Sequence, residues 1–512
     1  MNLVVCCDGT WNTPDMVEQG VPTPTNVWKF YNAVAPEEAN GTRQERYYHP
    51  GVGTDGTWWD KLVGGGTGRG LDRNIMSAYR WLAGLYKPGD RIFLIGFSRG
   101  AYTVRSLGGM ISKCGLLDLS AAVDDDKLWQ SIEEVFAAYR AEEPSPIKAS
   151  KARPFHNTAA GELPTKKTPI HFIGVWDTVG SLGIPDDMAF LNLIDDPDGH
   201  RFHNTALSDI VANARHAVAI DEQRQNFLPT LWDPKPGADL KQLWFPGVHG
   251  DVGGGYAQTG LSDGALKWMI EEAQAAGLAI RGKALSQLAP NPNDVLHDSV
   301  TGLFKALKTR PRAVPLITTR PRSADIHASA LDRHQDPPLD AGDYWTLKPL
   351  PATVDIFARQ HWNATGIFLE KGKTYKLTAA GQWMDASIKC GPGGTADGKF
   401  EPAEIVQVAS SLFGKLENLT KTILKNEQVD FWWTKREEDE DWFCLIGLIA
   451  NNEPPPKKSS RSRAVERLPH EVFRIGEKVT IKPKASGYLY CFANDAWHAY
   501  ENNRGSVRLT VV

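Results

Sequence analysis

The chain has 512 residues, 41% of them hydrophobic and 23% charged, which excludes disorder and collagen-like repetition and, at roughly 150 residues per domain, predicts two to four domains. Its 57 Lys and Arg against 61 Asp and Glu leave a formal charge of -4, without the basic excess of a protein that coats nucleic acid. Six scattered cysteines with no Cys-x-x-Cys spacing exclude a disulfide framework and a structural zinc site.

The first apolar run, Leu3–Cys7, is short and continuous, as a strand buried on both faces should be. No basic n-region precedes it, and nowhere do about 18 apolar residues follow one another. The expectation is a chain made in the cytoplasm with no transmembrane segment, exported, if at all, by a route that reads no signal peptide. Gly51-Val-Gly-Thr-Asp-Gly56 satisfies G-x-G-x-x-G, but no helix opens on it, and Gly64–Gly70 lacks the Lys-Ser/Thr of a phosphate loop. Both are read as turns, and nucleotide binding is rejected. Ile75, Met76, Tyr79, Leu82 and Tyr86 recur at helical spacing, and Arg91–Ile95 reads as the next strand. The long, mixed-charge segment Leu119–Lys167 is read as a lid or substrate-access element. Phe172–Trp176 and Leu243–Val248 are further buried strands, and Leu261, Leu266, Met269, Ile270 and Ala273 mark a helix. This alternation predicts an α/β domain with a mostly parallel sheet over residues 1–351, its Lys-, Arg- and Pro-rich end running into a linker.

Within that domain, Gly96-Phe-Ser98-Arg-Gly100 matches G-x-S-x-G between a strand and a helix marked by Ala101, Val104, Leu107 and Ile111. A serine on so tight a turn projects its hydroxyl from the sheet edge, and only small flanking residues avoid a clash. The Arg99 N–H, opening the helix, is a candidate oxyanion donor. A serine nucleophile needs a base and the base an orienting acid, in the chain order Ser, Asp, His for this fold. Asp177 and His249 each follow a predicted strand and are the candidates. His216, inside an apolar stretch, reads as a core residue, His327 is a weaker rival base, and Asp251 is a rival acid that reads better as a brace for the glycine loop. In the loop Asp8-Gly-Thr-Trp-Asn12, Gly9 or Thr10 is a candidate second oxyanion donor, and an Asx turn closed by Asp8 is the equal alternative.

From residue 352 to 512 the pattern changes to period two, in Tyr375–Thr378, Lys478–Lys482, Tyr488–Phe492 and Val507–Val511. That predicts a separate antiparallel β-sandwich. Glu453–Arg463, with its Lys and Arg, reads as a solvated loop.

Six motifs in order, Cys7-Asp-Gly-Thr-Trp-Asn, Tyr47-Tyr-His-Pro-Gly-Val-Gly-Thr, Gly70-Leu-Asp-Arg-Asn, Gly96-Phe-Ser-Arg-Gly-Ala-Tyr, Val175-Trp-Asp-Thr-Val-Gly and Trp244-Phe-Pro-Gly-Val-His-Gly-Asp-Val-Gly-Gly-Gly-Tyr, resemble the α/β-hydrolase domain of type VI lipase effectors and their uncharacterised relatives. The resemblance implies a Ser-Asp-His hydrolase of phospholipid or other acyl esters, with no cofactor for catalysis and a secretion-apparatus partner, and it carries the triad onto Ser98, Asp177 and His249. In the tail, Trp362-Asn-Ala-Thr-Gly-Ile, Thr378-Ala-Ala-Gly-Gln-Trp and Ala493-Asn-Asp-Ala-Trp-His-Ala-Tyr-Glu-Asn-Asn-Arg-Gly-Ser resemble the calcium-dependent, galactose-binding PA-I-type lectins. Asp495, Asn502 and Asn503, the Ala499 carbonyl, and Met384 or Asp385 would supply the oxygens calcium prefers, a metal-free Asx-rich turn being the alternative. The leading reading is a serine ester hydrolase, a phospholipase or lipase, placed on its substrate by a lectin-like module. Two others stand beside it: a calcium-dependent carbohydrate-binding protein with a degenerate hydrolase domain, and an esterase that deacylates polysaccharide.

Overall fold

The computed structural model describes residues 1–9, 12, 15–51, 69–120, 125–141, 154–159, 161–180, 206–306, 308–340, 342–385, 387–395, 435–451 and 470–512. The described residues of Met1–Thr301 and Ala324–Gly342 form one compact unit, and those of Gly302–Ser323, Asp343–Lys457 and Glu466–Val512 a second.

Six strands make the sheet of the first unit: β1 (Asn2–Cys7), β2 (Gln44–His49), β3 (Arg91–Phe97), β4 (Ile170–Trp176), β5 (Val211–Ala219) and β6 (Asp239–Phe245). Their order is β2-β1-β3-β4-β5-β6, and every neighbouring pair is parallel. Successive side chains of a strand point to opposite faces, and here both faces are covered. Leu3, Val5, Ile92, Leu94, Ile173 and Val175 meet helices α2 (Arg69–Leu85), α3 (Arg99–Cys114) and α4 (Asp125–Arg140) on one side. Val4, Cys6, Phe93, Ile95, Phe172 and Trp176 meet α1 (Asn26–Ala33), α5 (His249–Gly253) and α6 (Gly260–Ala275) on the other. Double coverage is why these strands are continuous apolar runs and not alternating ones. α4 falls inside the segment expected to form a lid, yet Ile132, Val135 and Phe136 are buried in the core, so this part is scaffold. The parts of that segment at 121–124, 142–153 and 160, residues 52–68 of the two glycine-rich motifs, and the basic loop Glu453–Arg463 lie outside the described residues, and the second motif ends in the first turn of α2.

The second unit is an antiparallel sandwich. One sheet runs Asn363–Leu369, Gly487–Ala493, Leu445–Ala450, Glu471–Arg474, and the other Ile388–Cys390, Tyr375–Asp385, Asn503–Val511, Ala352–Phe357, with Lys478–Ile481 also paired to Tyr375–Asp385. Ala352–Phe357 alternates buried and exposed along its length, whereas Leu445–Ala450 and Gly487–Ala493 are buried throughout. Their outer side chains Leu448, Tyr488 and Tyr490 are covered by Leu316, Trp345, Trp362 and Phe368. Residues 305–350, expected to run from the first domain into a linker, are divided: Gly302–Ser323 packs in this unit, Ala324–Gly342 in the first, and the chain from Asp343 in this unit again.

Candidate active site

Parallel register places the C-terminal ends of the strands level with one another. Cys7 is opposite Gly96, Phe97 opposite Trp176, Trp176 opposite Ala217, and Ala219 opposite Phe245. Asp8, Ser98, Asp177 and the turn before His249 thus open from one edge of one sheet, where ligands sit in open α/β folds.

Ser98 occupies the single residue between β3 and α3, at φ 56° and ψ -123°. Left-handed backbone at a non-glycine residue is strained, and here it is held by the Ser98 N–H donating to the Trp176 carbonyl at 3.1 Å. The flanking glycines are required by contact. A Cβ on Gly96 would lie 2.5 Å from the Gly100 carbonyl oxygen, and one on Gly100 would lie 2.0 Å from that of Cys7. Both approaches come from folding a helix back on its own strand beside β1. Gly100→Ala is expected to destabilise the protein by roughly 1–3 kcal/mol or more, read as a lower urea midpoint, with ester hydrolysis falling in parallel. An unchanged midpoint would contradict this account of the turn.

Asp177 follows β4 with φ 36° and is fully buried. Its Oδ1 accepts the Ala219 N–H at 3.0 Å, and its Oδ2 accepts from His249 Nδ1 at 2.6 Å. The His249 ring lies between Phe97 and Phe227, with ring centroids 4.6 and 4.9 Å away. Burial pulls its pKa below the usual imidazole value, against the opposing hydrogen bond and charge of Asp177. The imidazole is thereby kept neutral and able to accept a proton.

The rival residues have other work. His216 is buried, accepting the Thr178 N–H on Nε2 and meeting Gln242 on Nδ1, as a core histidine should. His327 caps the helix Ala328–Gln335 and stacks on Phe245. Asp251 accepts the Val248 and His297 N–H groups and pairs with His297 Nδ1 at 2.6 Å, bracing the loop around Gly247.

Of the oxyanion candidates, Arg99 is the first residue of α3, where N–H groups have no partner within the helix. Gly9 is adjacent to Ser98, since a Cβ built on it would be 3.1 Å from Ser98 Cβ. Its N–H, however, donates to Asp8 Oδ1 at 2.8 Å, so Gly9 stabilises an oxyanion only by leaving that carboxylate. Thr10 lies outside the described residues. Asp8 does more than close a turn: it also accepts from Thr25 Oγ1 at 2.6 Å and Tyr48 OH at 2.9 Å. Burial raises its pKa to about 6 in spite of these bonds.

Three partners of the site escape a sequence reading. Glu222, Arg224 and Phe227 lie in the loop after β5, a strand whose Asn213 and Arg215 interrupt the apolar stretch that holds His216.

In the second unit the side chains of four candidate metal ligands, Asp385, Asp495, Asn502 and Asn503, are brought together at one end of the sandwich. Asp385 is opposite Asn503 in the sheet, Asn502 Nδ2 donates to Asp385 Oδ1 at 2.7 Å, and Asn503 Nδ2 donates to Asp495 Oδ2 at 2.8 Å. Ala499 leads into the single turn Tyr500–Asn502 that links Asp495 to this pair. Asp385 and Asp495 are both buried, and burial with the neighbouring Asp385 charge raises Asp495 to about 7. Asn502 Oδ1 and Asn503 Oδ1 are buried without a hydrogen-bond partner among the described residues. Orphaned amide oxygens next to two carboxylates fit a hard cation with oxygen ligands.

Several proteins are similar to this chain. An uncharacterized protein of Saccharomyces cerevisiae is 32% identical over 251 residues, 46% of this chain and 33% of that protein. This chain spans about a third of the length of that relative. A crystal structure of an uncharacterized protein from Pseudomonas aeruginosa is 18% identical, covering 57% of this chain and 49% of that one, with a TM-score of 0.32. The structure of the Tle1 effector bound to the VgrG spike of the type 6 secretion system is 17% identical, covering 50% of this chain and 51% of that one, with a TM-score of 0.31. The EclA N-terminal domain, a PllA-like lectin, is 14% identical over 31% of this chain and 92% of its own, with a TM-score of 0.18. Among the described residues, no helix is long and apolar enough to cross a membrane. Residues 1–272, more than half of the chain, match the type VI secretion family model for the catalytic domain of Tle1-like phospholipase effectors, and the chain belongs to that family.

Proposed function

We propose that the first unit is a serine carboxylic-ester hydrolase, a phospholipase, with Ser98 as nucleophile, His249 as general base and Asp177 as orienting acid. The observation that carries this reading is the buried 2.6 Å His249–Asp177 bond at the same sheet edge as the strained Ser98 turn. Ser98 Oγ attacks the ester carbonyl while the His249 ring takes its proton. Asp177 holds Nδ1–H, which fixes the tautomer and stabilises the imidazolium. The carbonyl oxygen, now an oxyanion, is met by the Arg99 N–H at the positive end of α3. The protonated His249 returns its proton to the departing alcohol, leaving an acyl-Ser98 ester that an activated water cleaves.

In this reading Asp495, Asn502, Asn503, the Ala499 carbonyl and Asp385 of the second unit would hold calcium, and that unit would bind a carbohydrate and so place the enzyme on its substrate. Calcium held there would offer sugar hydroxyls a hard cation to coordinate, and the only side chains in the ester chemistry are those of Ser98, His249 and Asp177. The match to an effector family supports delivery by a type VI secretion apparatus.

The test is release of fatty acid from phospholipid vesicles, set beside release of acetate from an acetylated polysaccharide. Vesicle hydrolysis is expected. Acetate release alone would replace the phospholipase reading with a polysaccharide deacylase, and neither product would favour a carbohydrate-binding protein with an inactive first unit.

A further inference from the structure

The loop after β5 carries a buried ion pair that the triad reading does not use. The Glu222 side chain is fully excluded from solvent and that of Arg224 is 12% exposed. Glu222 Oε1 accepts from the Arg224 N–H and Nε and from Ser299 Oγ, each at 2.9 Å. Its Oε2 accepts from Arg224 Nη2 at 2.7 Å and from the backbone N–H of His249 at 3.2 Å. One residue earlier, Asp221 Oδ2 takes the Gly247 N–H at 2.7 Å, pinning the turn that delivers His249. The Arg224 guanidinium lies 3.5 Å over the ring of Phe227, and that ring packs edge-on against His249.

Resting on the reading of His249 as the base, we infer that Glu222, with Arg224 as its buried counter-ion, is the positioning residue that clamps His249 against Asp177. A buried carboxylate is expensive unless fully hydrogen-bonded and paired. This one is satisfied at five donors, and one of them is the main chain of the base itself. The loop grips His249 twice, at the N–H through Glu222 and at the ring through Phe227. Stacking of Arg224 on Phe227 links the two grips into one unit. By itself, the hydrogen bond that His249 Nδ1 donates to Asp177 fixes one edge of the imidazole. The clamp fixes its backbone and its face, and nucleophile–base alignment is sensitive to shifts well under an ångström.

The pair has an electrostatic signature as well. The charged groups acting on the His249 ring are Asp177 from the end of β4 and Arg224 and Glu222 from the loop after β5. The Arg224 charge lowers the imidazole pKa and that of Glu222 raises it. On the short helix of His249 itself, Asp251 is occupied by His297. Together Glu222 and Arg224 offset one another at the ring, and removing either one leaves the other uncompensated.

The experiment is steady-state hydrolysis of a soluble acyl ester by the full chain across pH, for Glu222→Gln, Arg224→Met, Arg224→Lys and the double variant Glu222→Gln/Arg224→Met. Glu222→Gln is expected to lower kcat about tenfold or more, with KM within about twofold, and to move the acid limb of the kcat/KM profile to lower pH. Arg224→Met moves that limb to higher pH. Arg224→Lys keeps the charge, so the limb stays while kcat falls. The double variant restores the position of the limb with kcat still reduced. Should a single variant fail to give a native near-ultraviolet spectrum, Arg224→Lys and the double variant carry the same test. Wild-type kcat in all folded variants, or a limb that moves the same way in both charge-removing singles, overturns the clamp. Ser98→Ala is assayed alongside: full activity there overturns the triad reading, whereas an inactive Ser98→Ala with a wild-type Glu222→Gln overturns only the clamp.

Discussion

Ser98→Ala is expected to abolish ester hydrolysis, with a loss on the order of 10⁶ in kcat, and His249→Ala to do nearly the same. Asp177→Asn should cost less, on the order of 10⁴. It leaves a group of the same shape beside His249 Nδ1 but favours the wrong tautomer and cannot stabilise the imidazolium. These losses are not additive, because the three residues act as one unit. Stability is the control: Ser98→Ala removes one hydroxyl from a strained turn and should leave the melting temperature at or above that of the wild type. The pH profile carries a second signature. Burial holds the His249 pKa below its usual value, so its neutral, proton-accepting form persists below about pH 6.5. Activity should hold from neutrality through that point and fall only at more acid pH, along a limb set by the depressed value. Since the unfolded chain takes up this proton at higher pH than the folded one, His249 also withdraws stability as pH falls below about 6.5. A limb centred above the ordinary imidazole value would contradict the buried, neutral base.

Calcium is expected to raise the melting temperature of the full chain through the second unit. At a free concentration one hundred times Kd, a ligand that binds only the folded state adds about 2.7 kcal/mol. For a unit of this size that is roughly 5–10 °C. The effect should depend on pH in a definite direction. Asp495 holds its proton up to about pH 7, while the unfolded carboxyl releases it near 3.9. Between those values the folded chain without calcium binds more protons than the unfolded one, so this group lowers stability as pH rises through that window. Calcium must displace that proton, so its affinity should climb from pH 5 to pH 7 and then level off, with protons released on binding. Asp495→Asn should remove both the calcium shift and its pH dependence. Hydrolysis of a soluble ester at Ser98 should stay at the wild-type rate. Calorimetric titration of the full chain at pH 5.5 and 7.5 reads both effects. No heat and no thermal shift at either pH would leave the cluster as an Asx-rich turn without a metal.

The doubly covered sheet and the elbow were legible in the sequence because their physics is local. A parallel strand between two helical layers must be apolar on both sides, so Leu3–Cys7 and Phe172–Trp176 announce themselves. A serine squeezed between strand and helix needs Gly96 and Gly100, whose Cβ atoms would collide with the main chain. β2 and β5 were not legible. Gln44–His49 is an edge strand whose partly exposed Glu45, Arg46 and Tyr47 pattern is polar, and Val211–Ala219 carries Arg215, buried only because Glu272 and Asp239 pair with it. Leu445–Ala450 hid for the opposite reason. It is a sandwich strand without alternation, because Trp345 and Leu316, far apart in sequence, cover its outer face. The site followed the same division. Ser98, Asp177 and His249 sit at strand ends that a pattern can locate. Glu222 meets His249, and Arg224 acts on it by way of Glu222 and Phe227, only through the register of β5 against β6, which no local spacing encodes. The same holds for Gly9: its neighbour Asp8 is visible in sequence, but that this carboxylate takes the Gly9 N–H is a matter of turn geometry.

A nucleophilic Ser98 activated by His249 should react covalently with an electrophile that mimics the ester. The most direct measurement is reaction of the full chain with a fluorophosphonate ester, followed by peptide mass spectrometry. A single phosphonyl adduct is expected on the peptide containing Ser98, formed at a rate that follows the pH dependence of hydrolysis. No adduct is expected there in His249→Ala on the same timescale. An unlabelled Ser98, or equal labelling in wild type and His249→Ala, would contradict activation of Ser98 by His249.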